Sequence, residues 1–153
     1  MLEYKVVKKE QFTVMGRGRK FNSDTSYEEI PKFWQEHMES DDKEIVHGMF
    51  GICLDVDGKE FEYLIADNYR PWKEVPEGYV TRVIPAGTWV VFPCRGALPK
   101  ALQDVNTKIW SEWLPSCKAY KMSGNYNIEM YTPPCENPQD QYSEIWVPVE
   151  EVK

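Results

Sequence analysis

Apolar and polar positions follow two different periods along this chain. From Tyr4 to about Phe21 the pattern is strand-like, with an interruption near Lys9–Gln11. Asn22-Ser23-Asp24-Thr25 then offers helix caps. From Ser26 to Glu39 the period becomes 3.6 residues, placing Ile30, Phe33, Trp34 and His37 on one helix face. Pro31 is expected in the first turn, where a missing N–H is tolerated. Met49–Val56 reads as a strand, Asp57-Gly58 as a hairpin turn and Phe61–Ala66 as the returning partner. A loop over Asn68–Gly78, with Pro71, Trp72 and Pro76, leads to strands at Tyr79–Ile84 and Thr88–Cys94. Leu98–Leu114 predicts a second helix, with Leu102, Val105, Ile109 and Trp113 as its apolar stripe and Pro115 as its stop. A short strand at Ala119–Met122, a strand at Asn125–Tyr131, a proline-rich loop at Thr132–Asp140 and a strand at Tyr142–Val149 follow.

The two helical segments resemble each other. Pro31–Met38 laid over Thr107–Leu114 matches Lys, Trp and Glu, at an offset of 76 residues. The same offset sets Val14 on Val90, Arg19 on Arg95 and Ile52 on Ile128. Each half then reads strand, helix, strand, strand, which predicts a duplication with repeats of about 1–76 and 77–153 inside one domain. The fold class expected is α+β: duplicated β-α-β-β units, a curved antiparallel sheet and two helices on one face. The junction of the halves, between the helices, is the expected ligand cleft.

Composition narrows the function. At 153 residues and 42% apolar content the chain can bury a core as one domain. A net charge of −7 argues against nucleic acid as a direct partner and suits cations. Phe, Trp and Tyr make up 14% of the chain, which fits either an aromatic core or a site lined with π surfaces. The four cysteines, Cys53, Cys94, Cys117 and Cys135, form no C-x-x-C pair, and His37 and His47 are the only histidines. No metal or cofactor is expected, and the cysteines are read as reduced thiols of a cytoplasmic protein. No apolar run is long enough to span a membrane.

The late strands carry the candidate chemistry. Period-two alternation puts Asn127, Glu129 and Tyr131 on one face of their strand, and Tyr142, Glu144 and Trp146 on one face of theirs. Each strand thus pairs a carboxylate with an aromatic two residues on. Facing a cleft, these would anchor a flat or lipophilic cation through charge and cation–π attraction. Facing solvent, they would be edge glutamates among half-exposed aromatics.

Val75-Pro76-Glu77-Gly78-Tyr79, through Ile84-Pro85-Ala86-Gly87-Thr88-Trp89-Val90-Val91-Phe92, resembles the GyrI-like family. This is the effector-binding domain found in AraC-type and MerR-type bacterial regulators. Ile109–Pro115 and Tyr142–Val149 are similar to its second helix end and last strand, so the likeness spans nearly the whole chain. The resemblance implies multidrug-type binding of hydrophobic, often cationic, molecules between the halves. It implies Glu129 as the acidic group, with Glu144 beside it. It implies Phe50, Tyr63, Trp89, Trp110 and Trp146 as cavity lining, with Trp34 carried over from the first helix. Regulators of this type carry a helix-turn-helix domain ahead of this one. Here the first strand opens the sequence, so a DNA-binding partner or regulator is expected in trans, or as a domain lost from the chain.

Three functions compete on these residues. The leading one is a binding module that senses or sequesters an amphipathic cation. The second is a GyrI-like hydrolase of reactive small molecules, with Glu129 as base and Tyr131 or Tyr63 as acid. The third is a gyrase-inhibitor-like protein contact through the acidic patch of Glu39, Asp41, Asp42 and Glu44, whose plainer reading is a solvated helix end.

Overall fold

Glu10 and Gln11 break the first apolar stretch into two strands, β1 (Lys5–Lys9) and β2 (Phe12–Asn22). The computed structural model describes residues 2–133 and 135–153; Pro134 of the proline-rich loop lies outside them. The chain divides into two compact units, Glu10–Ala86 and Met1–Lys9 with Gly87–Lys153, so that β1 and β2 belong to different units. Within each unit the described strand pairings are antiparallel, and the fold class is α+β.

In the unit Glu10–Ala86, β2 is followed by α1 (Ser26–Glu39), the short α2 (Asp42–Ile45), β3 (Phe50–Asp57), β4 (Glu60–Asn68) and β5 (Val80–Ile84). The strand order is β3-β4-β2-β5. Phe21, Tyr63 and Ile65 share the face that meets Phe33 of α1 and Val46. Phe50, Ile52, Leu64, Ala66 and Val14 take the other face and are buried as well. The α1 stripe lies as its period predicts, with Phe33 and His37 buried and Ile30 and Trp34 half-buried. His37 is a core histidine whose Nε2–H donates to the Val46 carbonyl at 2.6 Å. The helix starts at Ser26 as expected, and from that start Pro31 is the sixth residue, in the second turn rather than the first. The β3–β4 turn is closed by Gly58 at φ +63° opposite an Asp57–Glu60 pair, the backbone that a two-residue hairpin loop requires.

The entry to β3 is held by one carboxylate. Asp67 of β4 accepts from the backbone N–H groups of His47, Gly48 and Met49 at 2.8, 2.9 and 2.9 Å. Gly48, at φ +88°, has no room for a side chain, since a Cβ there would stand 2.5 Å from the Trp34 ring. Asp67→Ala is expected to cost about 1–3 kcal/mol, because three backbone donors lose a charged acceptor. Urea denaturation checks this, and a midpoint equal to that of the wild type would contradict it.

In the other unit, β6 (Gly87–Arg95) leads into α3 (Lys100–Lys108), followed by β7 (Tyr120–Met122), β8 (Asn127–Tyr131) and β9 (Tyr142–Glu151). The strand order is β1-β6-β9-β8, with β7 also on β9. Val90, Phe92, Cys94, Ile145, Val147 and Val149 form the core against Leu102 and Ile109. The second helix does not end before Pro115. It widens to a π-helical turn at Ile109–Trp113 and closes with one α turn at Leu114–Ser116. The Leu114 N–H bonds the Ile109 carbonyl, five residues back. Ser111 Oγ donates to the Thr107 carbonyl at 2.7 Å and Ser116 Oγ to that of Glu112 at 2.6 Å. These hydroxyls satisfy carbonyls of the widened, proline-interrupted end, so the helix continues past the residue expected to stop it.

Each unit runs β-α-β-β in the same order: β2, α1, β3, β4 in one and β6, α3, β8, β9 in the other. The pairs 76 residues apart, Val14 and Val90, Ile52 and Ile128, Phe33 and Ile109, are all buried. Among the described residues no helix is long and apolar enough to cross a membrane.

Candidate ligand-binding site

Strand register decides where the two glutamates point. Glu129 pairs with Ile145 across β8–β9, and Ile145 pairs with Phe92 across β9–β6. Ile145 and Phe92 belong to the core under α3, so Glu129 lies on the helix-covered face. Tyr131, two residues on, packs against that same core, as do Trp110 and Trp113 of the π turn. The Tyr131 hydroxyl donates to Glu129 Oε1 at 2.8 Å. Glu129 as a residue is only 8% exposed. Trp110 Nε1 donates to Asn106 Oδ1, one turn back, at 2.8 Å, so its N–H is satisfied within the helix.

Glu144 lies on the opposite face. It pairs with Met130 and Pro93, while its strand neighbours Ile145 and Ser143 face the helix. Tyr142, Glu144 and Trp146 do share one face: the Tyr142 hydroxyl donates to Glu144 Oε2 at 2.6 Å and Trp146 Nε1 to Oε1 at 2.9 Å. Trp89 stands edge-on to Trp146, with ring centroids 6.3 Å apart. Glu144 is therefore not beside Glu129 as expected. The two strands are adjacent, but pairing Glu129 with Ile145 sends the carboxylates through opposite sides of the sheet. Both oxygens of Glu144 are taken by aromatic donors. A cation stands over each of those rings: Lys9 Nζ lies 3.9 Å from the Trp146 centroid and the Arg95 guanidinium carbon 5.8 Å from that of Tyr142. This carboxylate is engaged within its own unit, by two aromatic donors whose rings in turn meet cations. Burial, then the Glu144 hydrogen bond, pushes the Tyr142 hydroxyl up to about 12.

The other unit places its candidates in the same two ways. Trp34 and Tyr63 are on the α1 face, with Trp34 Nε1 donating to the Tyr63 hydroxyl at 2.7 Å. Tyr63 is fully buried, edge-on to Phe21 and Phe33. Phe50 pairs with Ala66 and meets Phe12, on the face away from α1. Within their own units, then, Glu129, Tyr131, Trp110, Trp34 and Tyr63 are on helix-bearing faces, while Glu144, Trp146, Trp89 and Phe50 are not.

Two further groups bear on chemistry. All four cysteines are free thiols, and Cys94, close to both glutamates, is pushed up to about 12, chiefly by burial. It is an uncharged core thiol rather than a nucleophile. Asp42 is not a solvated patch residue. Its carboxylate accepts from the Tyr79 hydroxyl at 2.5 Å, from Arg17 at 3.1 Å and from Ser40 at 3.1 Å. The Tyr79 hydrogen bond, with Ser40 and Arg17 adding, holds Asp42 below the usual aspartate range. A depressed folded pKa stabilises above the ordinary aspartate value, and the contribution is lost as pH falls through the folded value. The stability difference between the wild type and Tyr79→Phe should therefore shrink as pH falls from about 5 to about 2. Urea titrations at each pH measure it, and a difference independent of pH would contradict it.

Several contacts carry no pattern in the sequence. Trp113 stands edge-on to Phe92 at 5.0 Å and to Tyr4 at 5.4 Å, tying the N-terminal segment to the π turn. Asn106 is detectable only as the i−4 neighbour of Trp110. Lys9 over Trp146 joins distant parts of the sequence and has no local signal.

The profile of the Cass2 family, described as integron-associated effector binding proteins, matches residues 5–149. A search of curated proteins returns no match. Among solved structures, SAV2435 bound to tetraphenylphosphonium superposes with a TM-score of 0.86 at 20% identity, covering 97% of this chain and 94% of that one. The integron cassette protein VCH_CASS2 from the mobile metagenome of Vibrio cholerae gives 0.75 at 15% identity, with 96% and 95% covered. The C-terminal domain of EcmrR gives 0.65 at 17% identity, with 99% of each chain covered. At these identities the likeness establishes the fold.

Proposed function

The chain belongs to the integron-associated effector-binding protein family, and we propose that it captures a small hydrophobic cation, with Glu129 as the acidic anchor. The observation that carries this reading is a buried carboxylate on a helix-covered aromatic face, held by the Tyr131 hydroxyl. A carboxylate so enclosed gains most from a partner that brings positive charge without needing many hydrogen bonds. Trp110 supports the same ligand class: its N–H is occupied by Asn106, so the ring offers its π surface. That SAV2435 holds tetraphenylphosphonium, a lipophilic cation without donors, fits this chemistry.

The protein then serves as a sensor or effector-binding module, read by a regulator in trans. Binding is preferred to hydrolysis because Tyr131, one of the two candidate acids with Tyr63, already directs its proton at Glu129, the base. Titration with tetraphenylphosphonium, followed by tryptophan fluorescence, tests the reading. A saturable one-to-one change is expected. No saturation up to ~1 mM, where the binding free energy is only about −4 kcal/mol, would overturn it.

A further inference from the structure

We propose that the outer edge of β5 is a self-association surface, on which a second copy of this chain adds its own β5 in antiparallel register. The backbone phase exposes the edge. The Tyr69 N–H donates to the Thr13 carbonyl at 2.9 Å, so the odd-numbered residues of β2 bond towards β4. The even-numbered Phe12, Val14 and Gly16 bond towards Ile84, Arg82 and Val80 of β5. Thr81 and Val83 therefore turn their N–H and C=O groups outward, and among the described residues no strand lies on that side. The guanidinium of Arg82 meets the Thr81 carbonyl at 3.1 Å, an exposed contact that a strand N–H would replace.

Charge selects the occupant. The unit Glu10–Ala86 has nine Lys and Arg against sixteen Asp and Glu, a net −7, whereas its segment from Trp72 to Ile84 balances Lys73 and Arg82 against Glu74 and Glu77. The strand is also apolar at its surface, with Val83 57% exposed and Val80 exposed as well, and the loop ahead of it carries Trp72, 76% exposed. Two acidic copies can meet here without opposing like charges. Edge strand β1 contrasts with it, since three of its five residues are lysines, a pattern that repels an incoming strand. An antiparallel pair centred on Thr81 sets Thr81 against its own copy, Val83 against Tyr79 and Arg82 against Val80. Threonine thus faces threonine, and no charges of one sign coincide. Such a contact is isologous and closes as a twofold dimer.

Sedimentation equilibrium across the micromolar to millimolar range tests this. The mass should rise from 18.0 kDa towards twice that value as concentration increases. Thr81→Pro removes an outward N–H that β2 does not use, and Val83→Lys places a charge on the margin. Each should hold the protein at the monomer mass, with far-UV circular dichroism confirming the fold. If Thr81→Pro fails to fold, Val83→Lys decides alone. A wild type that stays monomeric throughout overturns the proposal and leaves the edge to an extended segment of another protein. A dimer that survives both variants overturns it as well.

Discussion

Glu129→Gln is expected to weaken tetraphenylphosphonium binding by roughly 10–100-fold, the loss of one charged interaction worth about 1.5–3 kcal/mol. The substitution is nearly isosteric, and a glutamine oxygen can still accept the Tyr131 proton that Glu129 Oε1 now takes at 2.8 Å. The aromatic face is left in place, and only the charge is removed. A neutral ligand of similar size should therefore bind wild type and variant within about threefold, or ~0.7 kcal/mol. Isothermal titration with both ligands separates the two effects. Equal losses for the cation and the neutral compound would mean that Glu129 supports the pocket's shape rather than the ligand's charge.

Removing the other late-strand carboxylate should have the opposite profile. Glu144→Ala is expected to destabilise the fold by about 3–5 kcal/mol, through a cavity plus two orphaned donors. Trp146 Nε1 and the Tyr142 hydroxyl both end on this side chain, and Trp146 and Glu144 are buried. Affinity of the folded variant for tetraphenylphosphonium should stay within about threefold of wild type, because Glu144 faces away from α3. Urea denaturation gives the stability, and titration below the transition gives the affinity. A stable variant that fails to bind would place the anchor at Glu144 instead.

The contrast between these two glutamates shows where the sequence stops being informative. Alternation along a strand tells which residues share that strand's face, and it correctly grouped Glu129 with Tyr131 and Glu144 with Trp146. It does not tell how two strands are staggered. A shift of one residue between β8 and β9 would put both carboxylates together, and only the Glu129–Ile145 pairing separates them. The helices were legible for the same reason that the strands were: Phe33 and His37 in α1, and Leu102 in α3 with Ile109 at the start of the π turn, recur at the helical period and are buried. The π turn was not legible. Ile109 and Trp113 fit an α stripe equally well, and the widening depends on Pro115 and on hydroxyls of Ser111 and Ser116 reaching back to carbonyls. The bulge between Leu54 and Asp57, with Asp55 at φ +52°, is a similar local irregularity that apolar patterning does not encode.

The central claim, that the ligand's charge is met by Glu129 on the helix-covered face, is tested most directly by a crystal structure with tetraphenylphosphonium bound. The account predicts phosphorus within ~6 Å of the Glu129 carboxylate, with a phenyl ring against Trp110, at cation–π range. A ligand seated instead against Trp89 and Trp146, on the face of Glu144, would contradict it.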